Sequence, residues 1–310
     1  MACDTPILIE NVKEYEYIPV MCGKCPPCRK RKVDEWVFRM TEEDRNSTSS
    51  HFITLTYNTL SVPITENGYM TLLRADWTNF MKRLRKQTGY ENIRFYAVGE
   101  YGEKNKRPHY HAIIFNCPTA SSYGKAWSME KLKWINHYKP LDKKGNIRDP
   151  FKNHDDKDRI PIGNVDVGQV SQRSMAYCVK YLDKKRRKRN HSREDFTPEF
   201  NAISNGIGSC YLTEKIINWH RKRPEQLYTT MRGGRRVAMS KYYRDKIWNE
   251  DYKGDRERQL EIIVEKMKEK TREERRICEK GGRNWESYQA DMINSRQFKY
   301  DKYNSKSRRL

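Results

Sequence analysis

Along HFITLTY at 51–57, β-branched and aromatic residues alternate with polar ones, the pattern of a half-buried strand. The period then changes. RADWTNFMKRLRKQTG spaces its apolar residues at three and four, which predicts a helix closed by Gly89. Two further strands are predicted at IRFYAVGEYG, 93–102, and RPHYHAIIF, 107–115, and a fourth at GNVDVGQV, 163–170, after a polar stretch rich in Lys and Asp near 139–160. A helix carrying SMAYCVKYLDKK starts at about Ser171, so the order is β-α-β-β-insert-β-α. Before this block, VDEWVFRMTEEDR reads as a helix ending in the Ser/Thr run at 46–50. After it the chain is loop-rich to about 240, then charged and helical through DRERQLEIIVEKMKEKTREERR, an arm suited to packing or oligomerisation. The expected division is a Cys-containing basic segment at 1–50, an α+β domain at 51–190 and a loop-rich, then helical, basic region at 191–310.

Composition narrows the class. The 310 residues allow one or two domains, but only 36% are hydrophobic and 34% are charged, with a mean hydropathy of −1.06. This excludes a membrane protein and argues against an enzyme that encloses a small metabolite. Sixty-three Lys and Arg against 41 Asp and Glu leave a formal charge of +22, which calls for an anionic partner. Aromatic residues at 12% exceed what a solvated tail carries, and basic charge mixed with aromatics points to nucleic acid. No basic stretch followed by an apolar run opens the chain, so a cytosolic protein is expected. Eight cysteines are too sparse for a secreted disulfide scaffold.

Chemistry concentrates between Val98 and Phe115. With EKNK at 103–106 as a four-residue hairpin loop, Glu100 falls opposite His109 and Val98 opposite His111. Residues two apart on a strand share a face, so His109 and His111 project together while Tyr110 and Ala112 point away. Two imidazoles and a carboxylate can hold Mg²⁺, Mn²⁺ or a similar ion with positions left open for a substrate phosphate. A surface hairpin with two solvated histidines is the plainer alternative.

Tyr177 and Tyr181 stand at i and i+4 on the helix, with Lys180 and Lys184 along the same face. A tyrosine hydroxyl is a poor nucleophile at neutral pH and needs nearby positive charge and a polarised phosphorus. The plainer alternative is a pair of tyrosines packed on the sheet beside solvated lysines.

FITLTY, GEYGEKNKRPHYHAIIF and YCVKYLDKK, in this order, resemble the three motifs of HUH-superfamily rolling-circle replication initiators. The paired tyrosines and CGKCPPCRKRKVDEW are most similar to the replication proteins of Microviridae, the gokushovirus type of single-stranded DNA phage. The resemblance implies a central antiparallel sheet flanked by helices, with His109, His111 and Glu100 as metal ligands. It also implies that Tyr177 cleaves one origin strand, leaving a 5′-phosphotyrosyl link and a free 3′-hydroxyl. Tyr181 would then act on the regenerated origin, and Lys180 would orient the tyrosines and the phosphate. Rejoining needs no ATP, and no GxxxxGK[ST] loop is present, so a helicase and a polymerase would come from the bacterial host whose cytoplasm the protein would occupy. The competing classes are another HUH enzyme, such as a plasmid initiator, relaxase or transposase, and a non-catalytic single-stranded DNA-binding protein. The latter would need neither Glu100 nor the histidine pair.

Two features lie outside these motifs. Cys22, Cys25 and Cys28 form C-x2-C-x2-C, with Cys3 the nearest fourth thiol, a set suited to structural Zn²⁺ or to free buried cysteines. The run Lys184-Lys185-Arg186-Arg187-Lys188-Arg189 reads as a phosphate-contacting extension of the tyrosine helix or as a solvated charge run.

Overall fold

The computed structural model describes residues 3–11, 16–140, 144–180, 194–249 and 253–306. In chain order its elements are β1 (Ile7–Asn11), β2 (Glu16–Val20), α1 (Pro26–Arg45), β3 (Ser50–Thr56), α2 (Arg74–Thr88), β4 (Arg94–Tyr101) and β5 (Pro108–Phe115). They continue with α3 (Ser121–Ala126), β6 (Ser128–Glu130), α4 (Lys131–Tyr138), β7 (Arg159–Pro161), β8 (Val165–Gly168), α5 (Gln172–Lys180) and β9 (Phe200–Ile203). The last are α6 (Glu214–Arg221), β10 (Tyr228–Thr230), β11 (Arg236–Ala238), α7 (Lys241–Ile247), α8 (Lys253–Lys280) and α9 (Trp285–Lys306). The chain divides into two compact units, Arg39–Ser209 and a second formed by Met1–Phe38 with Cys210–Leu310.

The Arg39–Ser209 unit is built on a five-stranded antiparallel sheet in the order β8-β3-β5-β4-β9. The alternation along β3, β4 and β5 sends Ile53, Leu55, Tyr57, Ala97, Tyr101, Tyr110, Ala112 and Ile114 into one hydrophobic core. α2 covers that face with Trp77, Phe80, Met81 and Leu84, spaced three and four apart. Phe80 and Leu84 have no exposed surface, and each such burial stabilises by about 1.5–3 kcal/mol. Gly89 ends α2 in the left-handed region at φ 69°, its N–H donating to the Arg85 carbonyl.

A buried polar network ties this core together. Tyr57 donates to Asp76 at 2.7 Å, and its hydroxyl lies 2.8 Å from that of Tyr110, which itself donates to the Leu73 carbonyl at 2.8 Å. His137 of α4 completes the set, 2.8 Å from Asp76. Tyr110, between the two histidines in sequence, is thereby locked on the opposite side of the sheet from them.

Edge strand β8 approaches β3 closely at its start. A Cβ at Gly163 would sit 1.8 Å from the Thr56 carbonyl oxygen, so glycine is needed for the backbones to meet. The insert near 116–162 is more structured than its composition suggests: β6 and β7 pair, and α3 and α4 carry the buried Tyr123, Ala126 and Trp134.

The fifth strand differs from the expectation for 191–240. β9 comes from that loop-rich stretch and pairs with β4 from Tyr96↔Ile203 to Gly99↔Phe200. Four residues of half-buried edge strand are too short for an alternation signal.

In the other unit β1 and β2 form a ribbon, as do β10 and β11. Phe38, Tyr211 and Tyr243 make an aromatic cluster with ring centroids 4.9–5.9 Å apart. The helical arm is two helices rather than one, because α8 stops before Gly281-Gly282, with Gly282 at φ 62°, and α9 begins beyond it. Arg296 of α9 pairs with Asp4 and with Glu274 of α8. No helix among the described residues is long and apolar enough to cross a membrane.

Candidate active site

The hairpin register is the one the sequence predicts, with Glu100 opposite His109 and Val98 opposite His111. The connection closes through Gly102 N–H to the Arg107 carbonyl at 3.0 Å, with Lys106 at φ 51°. On the sheet face away from α2, Glu100 Oε1 lies 2.7 Å from His109 Nε2 and 3.1 Å from His111 Nε2. One ligand atom from each residue falls within 4.8 Å of the others.

Two groups outside the expected set orient the rings. The Arg107 carbonyl faces His109 Nδ1 at 3.1 Å, and Thr54 Oγ1 faces His111 Nδ1 at 2.9 Å. A carbonyl can only accept, so His109 carries a proton on Nδ1, and in the neutral ring Nε2 presents its lone pair to a carboxylate oxygen. Two acceptors so close require a cation between them, either a proton or a metal ion. This donor set and its outer hydrogen bonds fit a divalent metal. Phe52 stacks on His111 with centroids 5.8 Å apart and an interplanar angle of 15°. Burial works to raise the Glu100 pKa, but the hydrogen bonds and charges of the two histidines outweigh it and bring it down to about 2.

α5 delivers the tyrosine. Ser171 and Ser174 cap its start reciprocally: Ser174 N–H donates to Ser171 Oγ at 3.1 Å and Ser171 N–H to Ser174 Oγ at 2.8 Å. Met175, Cys178 and Val179 are the buried residues of this helix, which packs on β5 and β4. This sets Tyr177 Oη 3.4 Å from His111 Nε2, with the ring edge-on to both His111 and Phe52. Burial, then the charge of Arg173, lowers the pKa of Lys180 below its ordinary value. Burial and the Glu100 carboxylate push the Cys178 thiol up, leaving it a packing group. Tyr181 and the run Lys184–Arg189 lie outside the described residues.

The cysteine set also converges. Cys3, Cys22, Cys25 and Cys28 bring their sulfurs within 4.8 Å of one another, with Cys3 Sγ 3.7 Å from Cys25 Sγ. Backbone N–H groups of Lys24 and Cys25 and the Thr5 hydroxyl donate to Cys22 Sγ, each at 3.3 Å. Cys22 N–H donates to Cys3 Sγ at 3.3 Å and Asp4 N–H to Cys25 Sγ at 3.4 Å. Donors aimed at sulfur suit thiolates, and against the opposing effect of burial they bring the Cys22 pKa down to about 6. Four thiolates so arranged could hold a metal ion.

Thr54 and the Arg107 carbonyl were not singled out from sequence. The alternation of FITLTY does place Phe52 and Thr54 on the non-core face, and β3 pairs with β5 at Thr54↔His111, so the signal for Thr54 lay in the strand pattern.

Residues 50–186 match the family model for the replication-associated protein ORF2. The chain is 27% identical over 303 residues to replication-associated protein ORF2 of Spiroplasma virus 4, covering 87% of this chain and 85% of that protein. It is 26% identical over 245 residues to replication-associated protein VP4 of Bdellovibrio phage phiMH2K, covering 75% and 69% respectively. The match to replication-associated protein ORF4 of Chlamydia phage 1 is 25% over 181 residues, 56% of this chain and 40% of that protein. No solved structure matches. The resemblance read from the motifs therefore holds: the chain is akin to the replication-associated proteins of Microviridae-type phages.

Proposed function

We propose that this relative of phage replication-associated proteins initiates rolling-circle replication by cleaving one DNA strand with Tyr177. The reading is supported above all by the convergence of Tyr177 Oη, both histidine Nε2 atoms and Glu100 Oε1 on one face of the sheet. A divalent cation, Mg²⁺ or Mn²⁺, held by Glu100, His109 and His111 would supply Lewis acidity at the scissile phosphate.

Tyr177 gives up its hydroxyl proton and its oxygen bonds to phosphorus. The 3′-oxygen leaves and takes a proton, giving a free 3′-hydroxyl and a 5′-phosphotyrosyl link. Thr54 and the Arg107 carbonyl keep the imidazoles turned inward during this exchange, and Tyr110 pins their strand from below. Lys180, half-buried on the tyrosine helix, orients the phosphate and offsets its charge. The link retains the energy of the phosphodiester, so the reverse attack by a 3′-hydroxyl rejoins DNA without ATP. Tyr181 serves the second cleavage, after host helicase and polymerase have displaced and copied the strand in the bacterial cytoplasm. Cys3, Cys22, Cys25 and Cys28 hold a structural Zn²⁺.

Incubating supercoiled and single-stranded circular DNA with the purified protein and Mn²⁺ tests the enzyme claim. Cleavage by the wild type that His109→Ala and Tyr177→Phe lack supports it. Equal cleavage by all three proteins refutes it.

A further inference from the structure

A second basic surface lies on the other side of the sheet. The C-terminal half of α2 and the insert formed by α3, β6, α4 and β7 line a groove of about 690 Å³. Its cations are Lys82, Arg83, Lys86, Lys125, Lys133 and Arg159. Lys82, Lys86, Lys125 and Lys133 are exposed. Among the described residues, the one ion pair within the groove joins Lys133 to Glu130, 2.8 Å apart, and Lys82, Lys86 and Lys125 have no acidic partner. Arg83 forms the floor: its Nε donates to the Ala126 carbonyl at 2.7 Å, while Nη2 is buried with no acceptor among the described residues. Arg159 is close enough to repel it. Arg159 spends its own donors on the Ser128 hydroxyl and on the Lys125 and Ser128 carbonyls, neutral groups that leave its charge uncompensated. A groove holding this much unbalanced positive charge is suited to a chain of phosphates.

We infer that this groove binds the phosphate backbone of duplex DNA, a second DNA contact separate from the cleavage site. The inference rests on the reading of the protein as one that acts on DNA. Two observations choose the duplex. α2 covers the core face of the sheet, opposite His109 and His111, so DNA held here is not the segment presented to Tyr177. No Tyr, Trp or Phe side chain among the described residues lines the groove, whereas proteins that grip single strands supply such rings for bases to stack on. Contacts to phosphate alone hold DNA without reading it. The Lys/Asp-rich insert thus gains a role: with α2 it builds the walls of a track for duplex beside the strand being cut.

The test is the binding of a fluorescent duplex of arbitrary sequence, and separately of a single strand, to the full chain over a range of salt. The variant carries Lys82→Gln, Lys86→Gln and Lys125→Gln, and a control with the same change in net charge carries Lys215→Gln, Lys266→Gln and Lys299→Gln. For the groove variant, duplex affinity falls by about tenfold or more and the slope of log K against log salt becomes shallower by about 2 to 3. Single-strand affinity and cleavage stay near wild type, and the control changes duplex binding little. Unchanged duplex binding by the groove variant, or an equal loss in the control, overturns the inference. Because binding is read without cleavage, failure of the nuclease reading would show separately, as absent cleavage with the groove effect intact.

Discussion

Tyr177 Oη stands 3.4 Å from Nε2 of His111, so the attacking group of the proposed reaction and a metal-ligand atom share one point of the structure. Neither residue reaches that point alone: a two-residue strand period turns His111 to the face, and the Ser171–Ser174 cap sets where the helix begins. Removing only the hydroxyl, Tyr177→Phe, should keep the fold and lower the rate of first cleavage by about 10³-fold or more. Single-turnover cleavage of a labelled single strand, with circular dichroism as the folding control, measures it.

The outer hydrogen bonds to the histidines predict a graded effect on metal affinity. Thr54→Val removes the hydroxyl 2.9 Å from His111 Nδ1 and should weaken Mn²⁺ binding by about 10-fold to 100-fold. His109→Ala should abolish measurable binding. Isothermal titration of Mn²⁺ into the protein, without DNA, reads both. Equal affinity in Thr54→Val would remove that hydroxyl from the site.

For the cysteine set, protein purified without chelator should contain one zinc per chain, measured by plasma mass spectrometry. Cys22→Ser, which removes the sulfur receiving three hydrogen bonds, should lose it while the Arg39–Ser209 unit keeps its Mn²⁺ binding.

Asp76 is 1% exposed and joins Tyr57 and His137 beneath the metal hairpin. Asp76→Ala leaves those groups buried and unsatisfied, and should cost about 3 kcal/mol in denaturant unfolding. Gly163→Ala should cost about 2 kcal/mol or more, because the new methyl meets the Thr56 carbonyl.

His220 predicts a pH dependence. Burial lowers its pKa to about 4; its Nε2 lies 2.9 Å from the Tyr211 hydroxyl and its Nδ1 is buried without a partner among the described residues. The unfolded chain, with an ordinary histidine pKa of about 6.5, binds the proton more readily. Stability therefore falls as pH drops from about 6.5, and the histidine's share of that loss is complete below about 4. His220→Phe should show a shallower fall in melting temperature across that window than wild type.

The hairpin ligands were legible because a loop of ordinary length and a period of two fix which residues face each other, and Glu100, His109 and His111 fall into place by counting. The cysteine set was legible from spacing, with Cys3 supplied only by the return of the chain. Other parts depended on tertiary contact. β9 carries too few residues to show a period, and Thr54 matters through a strand that is its neighbour in space rather than in sequence. The groove could not be seen because its lysines come from α2, α3 and α4, separated in the chain and joined only by packing.

The central claim is a covalent bond between DNA and Tyr177. A randomised single-stranded DNA pool labelled at its 3′ ends, incubated with the full chain and Mn²⁺, should leave label on protein that survives denaturation. Peptide mass spectrometry should place that link on Tyr177, and Tyr177→Phe should strongly reduce it. Absence of any adduct, a link on a residue other than the two tyrosines, or a full yield from the Tyr177→Phe, Tyr181→Phe double variant would contradict the account.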